Sequence, residues 1–173
     1  MKAVFIDKDG TLVENVPYNV DPERIALADG AQRCVSQLRS KQYRVIVVSN
    51  QPGAALGYFE ESELRKVEAK LRALLPALDG FYYCPHLPEA GCRCRKPAPG
   101  MLERAAREHG VVLEASWMVG DILDDVEAGR RAGCRTILLD NGNETQWRTG
   151  EDRRPDYIVR DLPAAAAIIT GAA

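Results

Sequence analysis

Val4-Phe5-Ile6-Asp7-Lys8-Asp9-Gly10-Thr11-Leu12 begins as an apolar run and ends on two carboxylates spaced two residues apart. The pattern predicts a buried strand that runs into a reactive site. Successive strand side chains alternate faces, so strand geometry continued this far would point Asp7 and Asp9 the same way, about 6–7 Å apart. Both would then reach one small group. Gly10 permits a sharp turn just beyond them, and Thr11 has a hydroxyl to return to the loop backbone. The group that fits is a phosphoryl held by Mg²⁺, because hard cations take carboxylate oxygens and leave positions for water and substrate phosphate. The competing readings are a plain polar turn and a calcium loop. A helix–loop–helix calcium loop closes on a carboxylate, and counting from Asp7 that position is Tyr18.

Outward from this stretch, 173 residues with 46% hydrophobic and 28% charged content are expected to form one soluble unit, residues 1–173, with a full core. The formal net charge of −2 argues against general affinity for nucleic acid or an anionic membrane surface. No apolar run approaches the ~20 residues that span a bilayer, and the chain opens at once on a strand, so the cytoplasm is the expected location. With no spare apolar stripe in view, a monomer is expected.

Residues 14–29 have no clean period and form an excursion over the site, where Asn15 and Tyr18 can face a ligand. Gly30 to Gln42 has helical spacing of Cys34, Val35 and Leu38. Arg44-Val45-Ile46-Val47-Val48 is a continuous β-branched run of the kind buried on both faces of a parallel sheet, and it ends on Ser49-Asn50-Gln51. A second strand thus ends in groups suited to phosphate oxygens. Glu60 to Leu75 reads as a helix, with Ser62 as its expected cap. Phe81-Tyr82-Tyr83-Cys84 predicts a third strand that runs directly into a loop, residues 84–94.

In that loop Cys84, His86, Cys92 and Cys94 supply three thiolates and one imidazole, a full tetrahedral Zn²⁺ set with no open position. The expected role is structural. A redox pair is the rival, but it has no use for the histidine. Cys34 and Cys134 sit in helix-like or strand-entry patterns and are expected to be packing residues. Arg95-Lys96-Pro97 follows the last zinc ligand, so the loop would fix the base of a dibasic arm. Lys96 is a compact charge suited to a phosphoryl oxygen, and Arg95 offers a planar fork. Trp117-Met118-Val119-Gly120-Asp121-Ile122-Leu123-Asp124-Asp125 repeats the opening logic, with Asp121 at the strand end and Asp125 one helical turn on. Helices are expected at Gly100–His109, Leu123–Ala132 and Leu162–Ile169. Strands are expected at Thr136–Leu139 and Tyr157–Val159, with polar loop between Asn141 and Pro155.

With these strand ends in hand, the chain resembles the haloacid dehalogenase (HAD) superfamily of phosphatases. The likeness covers nearly the whole length in the family's motif order: Asp7-Lys8-Asp9-Gly10-Thr11, Ser49-Asn50-Gln51, Arg95-Lys96-Pro97, then Gly120-Asp121 with Asp125. The cysteine loop and a minimal cap make it similar to the heptose-bisphosphate and histidinol-phosphate phosphatase branch, with the heptose substrate favoured. That resemblance implies an α/β, doubly wound, Rossmann-like parallel sheet. It implies Asp7 as nucleophile, forming an aspartyl-phosphate, and Asp9 as general acid and then base. Mg²⁺ would be held by Asp7, the Asp9 backbone carbonyl and Asp121. Ser49 and Lys96 would neutralise the transferring phosphoryl, with Asp125 orienting Lys96 or a metal-bound water. Asn15, Tyr18, Asn50, Gln51, Pro52 and Arg95 would line the sugar side of a small phosphorylated substrate. Leu56 and Ile122 stand where this branch often carries cationic or polar residues, so a second phosphate is expected to fall to Arg95 and Arg93. A phosphorylatable receiver-like domain is the rival class. Asp9 discriminates, because a receiver needs no acid two residues after its acceptor.

Overall fold

The computed structural model describes residues 1–171, so the last two positions of the expected 1–173 unit lie outside the description. Along these residues the chain lays down β1 (Ala3–Ile6), α1 (Ala31–Ser40), β2 (Arg44–Asn50), α2 (Leu64–Leu74), β3 (Gly80–Cys84) and α3 (Gly100–His109). Then follow β4 (Trp117–Gly120), α4 (Leu123–Arg131), β5 (Arg135–Leu139), β6 (Tyr157–Val159) and α5 (Leu162–Thr170). The strands pair in parallel in the order β3-β2-β1-β4-β5-β6, which is the doubly wound order anticipated from the motifs. No helix is long and apolar enough to cross a membrane among the described residues.

Strand alternation sorts the side chains into two cores. Val4 and Ile6 of β1 and Val45 and Val47 of β2 face one side, where Val35 and Leu38 of α1, Val67 and Leu71 of α2 and Ala165 and Ile169 of α5 cover them. Phe5, Ile46, Val48 and Met118 face the other, under Met101, Leu102 and Ala105 of α3 and Ala128 of α4. Both faces are sealed, and for that reason the strand sequences are continuous apolar runs. Each fully buried side chain of the Phe5 or Leu71 type contributes about 1.5–3 kcal/mol. Cys34 and Cys134 fall in opposite cores as packing residues, and burial pushes both thiols up to about 12.

Several local boundaries differ from the sequence reading. β1 stops at Ile6, and the chain turns before Asp9, so the strand geometry that would have set Asp7 and Asp9 side by side does not persist. β2 runs two residues further than expected, through Ser49 and Asn50. A 3-10 turn at Glu61–Glu63 leads into α2. Glu60 caps that turn, its backbone N–H donating to Glu63 Oε2 at 3.0 Å, and the N-cap position of α2 falls on Glu63 rather than Ser62. The polar stretch after β5 holds a 3-10 turn at Glu151–Arg153.

The order of the strands places the site. β1 and β4 are neighbours, yet the chain leaves β1 toward β2 and leaves β4 toward β5, in opposite directions across the sheet. A crevice opens at their carboxyl ends, the switch point where ligands bind in such sheets. α4 must lie close to that crevice, and Gly129 allows it. A Cβ at Gly129 would stand 2.6 Å from Met118 Cβ and 2.8 Å from Thr136 Cγ2. Glycine to alanine inside an exposed helix is stabilising by up to about 1 kcal/mol. Here the sign is expected to reverse, with Gly129→Ala lowering stability by about 1–3 kcal/mol through overpacking. Urea unfolding measures it, and an unchanged or raised midpoint would refute so close a seat for α4.

Candidate active site

Asp7 continues the β1 ladder by one bond, its N–H donating to Val119 O at 2.9 Å, and its carboxylate is buried in the crevice. Lys96 reaches it from the far side of the crevice: Nζ lies 2.5 Å from Asp7 Oδ1, 2.6 Å from Asp125 Oδ1 and 3.0 Å from Val48 O. The lysine side chain is 3% exposed. Burial by itself would lower its pKa, but the carboxylates of Asp125 and then Asp7 outweigh burial and hold it above the ordinary lysine range. The ammonium is therefore charged.

Asp121, at the end of β4, and Asp125, on the first turn of α4, complete the cluster with Asp7, with one oxygen from each within 4.8 Å of the others. Asp125 is fully buried and accepts from the Ile122 N–H through Oδ2 at 3.3 Å. Its Oδ1 lies 2.6 Å from the Lys96 ammonium, the one donor beside it among the described residues. Burial, and then the charges of Asp7 and Asp121, push Asp125 up to about 8 against the pull of Lys96. Burial and the Asp7 charge push Asp121 up to about 6. Even with Asp125 holding a proton, two carboxylates face one ammonium in a buried pocket built of hard oxygen donors. A divalent cation fits that arrangement, and Mg²⁺ fits its chemistry.

The loop after β1 is shaped to Asp121. Gly10 has φ +79°, and a Cβ there would sit 2.2 Å from Asp121 Oδ2. Thr11 was expected to turn its hydroxyl to the loop backbone. Instead it donates to Asp121 Oδ1 at 3.2 Å.

Asp9 stands apart from the cluster. Its Oδ1 accepts from Lys8 Nζ at 2.6 Å and its Oδ2 from Gln51 Nε2 at 2.7 Å. Its side chain is 30% exposed, the most open carboxylate of the motif residues paired here. Burial raises its pKa, Lys8 lowers it and the Asp7 charge raises it, with a net upward shift. Such a carboxyl can carry a proton at the mouth of the crevice.

The residues at the end of β2 and just after it turn inward. Gln51 is buried and gives its amide protons to Asp9 and to Ser49 Oγ, the latter at 2.8 Å. Asn50 makes a reciprocal pair with the Lys96 backbone, donating to Lys96 O at 3.0 Å and accepting from Lys96 N at 3.0 Å. Both were expected on the sugar side; in this structure their amides bond to Asp9, Ser49 and the Lys96 backbone, because an amide at a buried strand end must find partners. Tyr18 is half-exposed, with φ +54°, and its ring meets that of Tyr58 edge-on at 4.8 Å. Asn15 is exposed, Pro52 and Arg95 are half-buried, and Arg95 Nη1 donates to His86 O at 3.0 Å. Arg93 is paired with Glu103 at 3.1 Å.

Cys84, His86, Cys92 and Cys94 converge next to this arm, with Cys84 on the last position of β3. The sulfurs of Cys84 and Cys94 are 3.1 Å apart and those of Cys92 and Cys94 3.4 Å, and His86 Nδ1 lies 3.3 Å from Cys94. All the cysteines are free thiols. The donor set and its convergence fit Zn²⁺.

Two groups at the crevice escaped the sequence reading. Lys8 is buried against Asp9. The turn after β5 delivers Asn141 Nδ2 to Gly10 O at 2.7 Å, Asn143 Nδ2 to Asp121 Oδ2 at 2.7 Å and Glu144 Oε2 to the Leu123 N–H at 2.8 Å. The available signal was the one that marked the other strand ends: an apolar strand followed at once by short polar side chains.

Residues 93–165 match the HAD-hydrolase-like family. The chain is 36% identical over 173 residues to a D-glycero-beta-D-manno-heptose-1,7-bisphosphate 7-phosphatase of Pseudomonas putida, covering 96% of this chain and 98% of that one. It is 34% identical to the protein of the same name from Haemophilus ducreyi, covering 93% and 94%. The crystal structure of D,D-heptose 1,7-bisphosphate phosphatase from B. bronchiseptica, complexed with magnesium and phosphate, superposes with a TM-score of 0.82 at 31% identity, covering 100% of both chains. With motifs, fold and near-complete coverage in agreement, the chain belongs to the D-glycero-beta-D-manno-heptose-1,7-bisphosphate 7-phosphatase family of HAD-like hydrolases.

Proposed function

We propose that this phosphatase removes the 7-phosphate of D-glycero-D-manno-heptose 1,7-bisphosphate through an aspartyl-phosphate on Asp7. The observation that carries the mechanism is the Lys96 ammonium 2.5 Å from the Asp7 carboxylate at the sheet's switch point. The substrate rests on relatives of that name at up to 36% identity across nearly the whole chain.

In the first step an Asp7 oxygen attacks phosphorus and the bond from phosphorus to the sugar oxygen breaks. Protonated Asp9 gives its proton to the departing alkoxide. In the second, Asp9, now a carboxylate, takes a proton from a water that attacks the phosphorus, which frees Asp7 and inorganic phosphate. Lys96 and the Ser49 hydroxyl face the phosphoryl oxygens and offset their charge. Gln51 keeps Asp9 and Ser49 in register with one another, and Asn50 keeps Lys96 at its station. Asp125 orients Lys96 by holding the far side of its ammonium. The Asp7 and Asp121 carboxylates and the Asp9 carbonyl would hold Mg²⁺, which would supply further positive charge to the phosphoryl group. Asn15, Tyr18, Pro52 and Arg95 border the sugar, with Arg95 the cation left for the second phosphate. Zn²⁺ in the Cys84, His86, Cys92 and Cys94 set acts structurally, fixing the base of the arm that carries Lys96. On this reading the chain is one catalytic unit, a monomer, working in the cytoplasm.

Phosphate release from heptose 1,7-bisphosphate, histidinol phosphate and fructose 1,6-bisphosphate, with and without Mg²⁺, tests the proposal. A strong preference for the heptose substrate is expected, abolished without Mg²⁺ and reduced by several orders of magnitude in Asp7→Asn. Retained turnover in Asp7→Asn would sink the nucleophile. Preference for a monophosphate would sink the substrate while leaving the mechanism standing. Metal analysis is expected to find one zinc per chain. Stripping it with a thiol-competent chelator should disorder residues 84–94 and remove most activity, since such ions contribute on the order of 10 kcal/mol to the loops they hold. Full activity in zinc-free protein would remove the link between this loop and Lys96.

A further inference from the structure

We propose that Asn143 is a positioning residue for Asp121, carried on a turn, residues 141–144, that latches three parts of the crevice together. The inference rests on the reading of Asp7 and Asp121 as holders of Mg²⁺. Asp121 has one donor on each oxygen: Thr11 Oγ1 at 3.2 Å on Oδ1 and Asn143 Nδ2 at 2.7 Å on Oδ2. Two donors on opposite oxygens stop the carboxylate from rotating about its last bond. The Asn143 bond is the shorter and the better formed. The amide must present its nitrogen here, since its oxygen would meet the carboxylate as one acceptor against another.

The turn is itself held on both sides of Asn143. Asn141 Oδ1 accepts from the Asn143 N–H at 3.2 Å while its Nδ2 donates to Gly10 O at 2.7 Å. Glu144 accepts from the Leu123 N–H at 2.8 Å, at the start of α4, and from the Gln146 N–H at 2.7 Å. One short turn thus ties the loop after β1, the end of β4 and the first turn of α4 at a common point. The space is tight, for a Cβ on Gly10 would come within 2.5 Å of Asn143 Nδ2.

The chemistry of the donor matters as much as its place. A lysine or arginine at this position would set a positive charge on Asp121 and repel the cation that the carboxylate is there to hold. An amide donates a hydrogen bond and leaves the full negative charge in place. Groups that orient a metal-holding carboxylate in this way are worth about 10–100-fold in metal affinity.

Calorimetric titration of Mg²⁺ into the full chain, with no substrate present, tests the proposal. Asn143→Ala is expected to weaken Mg²⁺ binding about tenfold or more. The melting temperature of the metal-free protein should stay within about 2 °C of the parent's. Activity should return at high Mg²⁺ with the substrate KM unchanged. Asn143→Val is closer to asparagine in size, carries no donor and should match the alanine variant, which covers the case of an alanine variant that fails to fold. Affinity within about twofold of the parent's in both variants overturns the proposal. So does a loss of affinity accompanied by a comparable loss of metal-free stability, because the turn would then be serving the fold. A parent chain that takes no Mg²⁺ overturns the reading of Asp7 and Asp121 as well, which separates the two failures.

Discussion

A lysine ammonium shut away from water between two carboxylates is the constraint around which this molecule is arranged. Lys96 touches Asp7, Asp125 and the Val48 carbonyl, all in a space closed to solvent. A lone buried charge is costly by several kcal/mol, and removing one partner from such a pair typically costs about 3–5 kcal/mol. Its partners come from the end of β1 and the first turn of α4, and the lysine itself from the arm that follows the cysteine loop. Everything that brings these three together, including the Asn50 pairing with the Lys96 backbone, is under the same demand. The arrangement is poised rather than neutral: one lysine does not offset the acidic groups around it, so the crevice favours a cation, and the positive charge of lysine and cation together is what would receive a phosphorylated substrate.

Division of labour between the two motif aspartates follows from where β1 stops. Had the strand continued to Asp9, both carboxylates would have faced the same group and repelled each other at closer range. Ending at Ile6 separates them. Asp7 stays in the closed pocket with Lys96, while Asp9 turns out to Lys8 and Gln51 at the mouth, where protons can come and go. One residue type thus finds two environments within three positions of chain.

Most of the architecture was legible in the sequence because a parallel sheet covered on both faces writes its strands as unbroken apolar runs. Val4–Ile6, Val45–Val48 and Trp117–Val119 all read that way, and the polar residues just beyond them, Asp7, Ser49 and Asp121, marked the site's edge. The Cys/His set was legible for a different reason, since three cysteines and a histidine in so short a loop point to a shared metal ion. What stayed hidden were the directions of side chains within loops. Gln51 and Asn50 look like ligand-facing amides in a list of residues, yet each turns inward because buried strand ends leave polar groups that require partners. Thr11 goes to Asp121 instead of its own loop because Gly10 brings the two into contact. Asn141 and Asn143 sit in a stretch whose polarity is that of any surface turn, and only the third dimension puts Gly10 and Asp121 beside it.

The central place of β1 has a consequence for how the chain is made. Of the six strands of the sheet it leaves the ribosome first, and one of its flanks pairs with β2 about 40 residues later, Val4 lying against Val45. The other flank waits for β4, where Val4 lies against Trp117. At typical synthesis rates that interval is on the order of 10 s. Through all of it the nascent chain carries a hydrophobic strand with an open hydrogen-bonding edge, a template for unwanted pairing. The same separation makes the fold rich in distant contacts, which slows its closure. Catalytic competence therefore arrives last in biogenesis, when the second half of the chain has docked on the first.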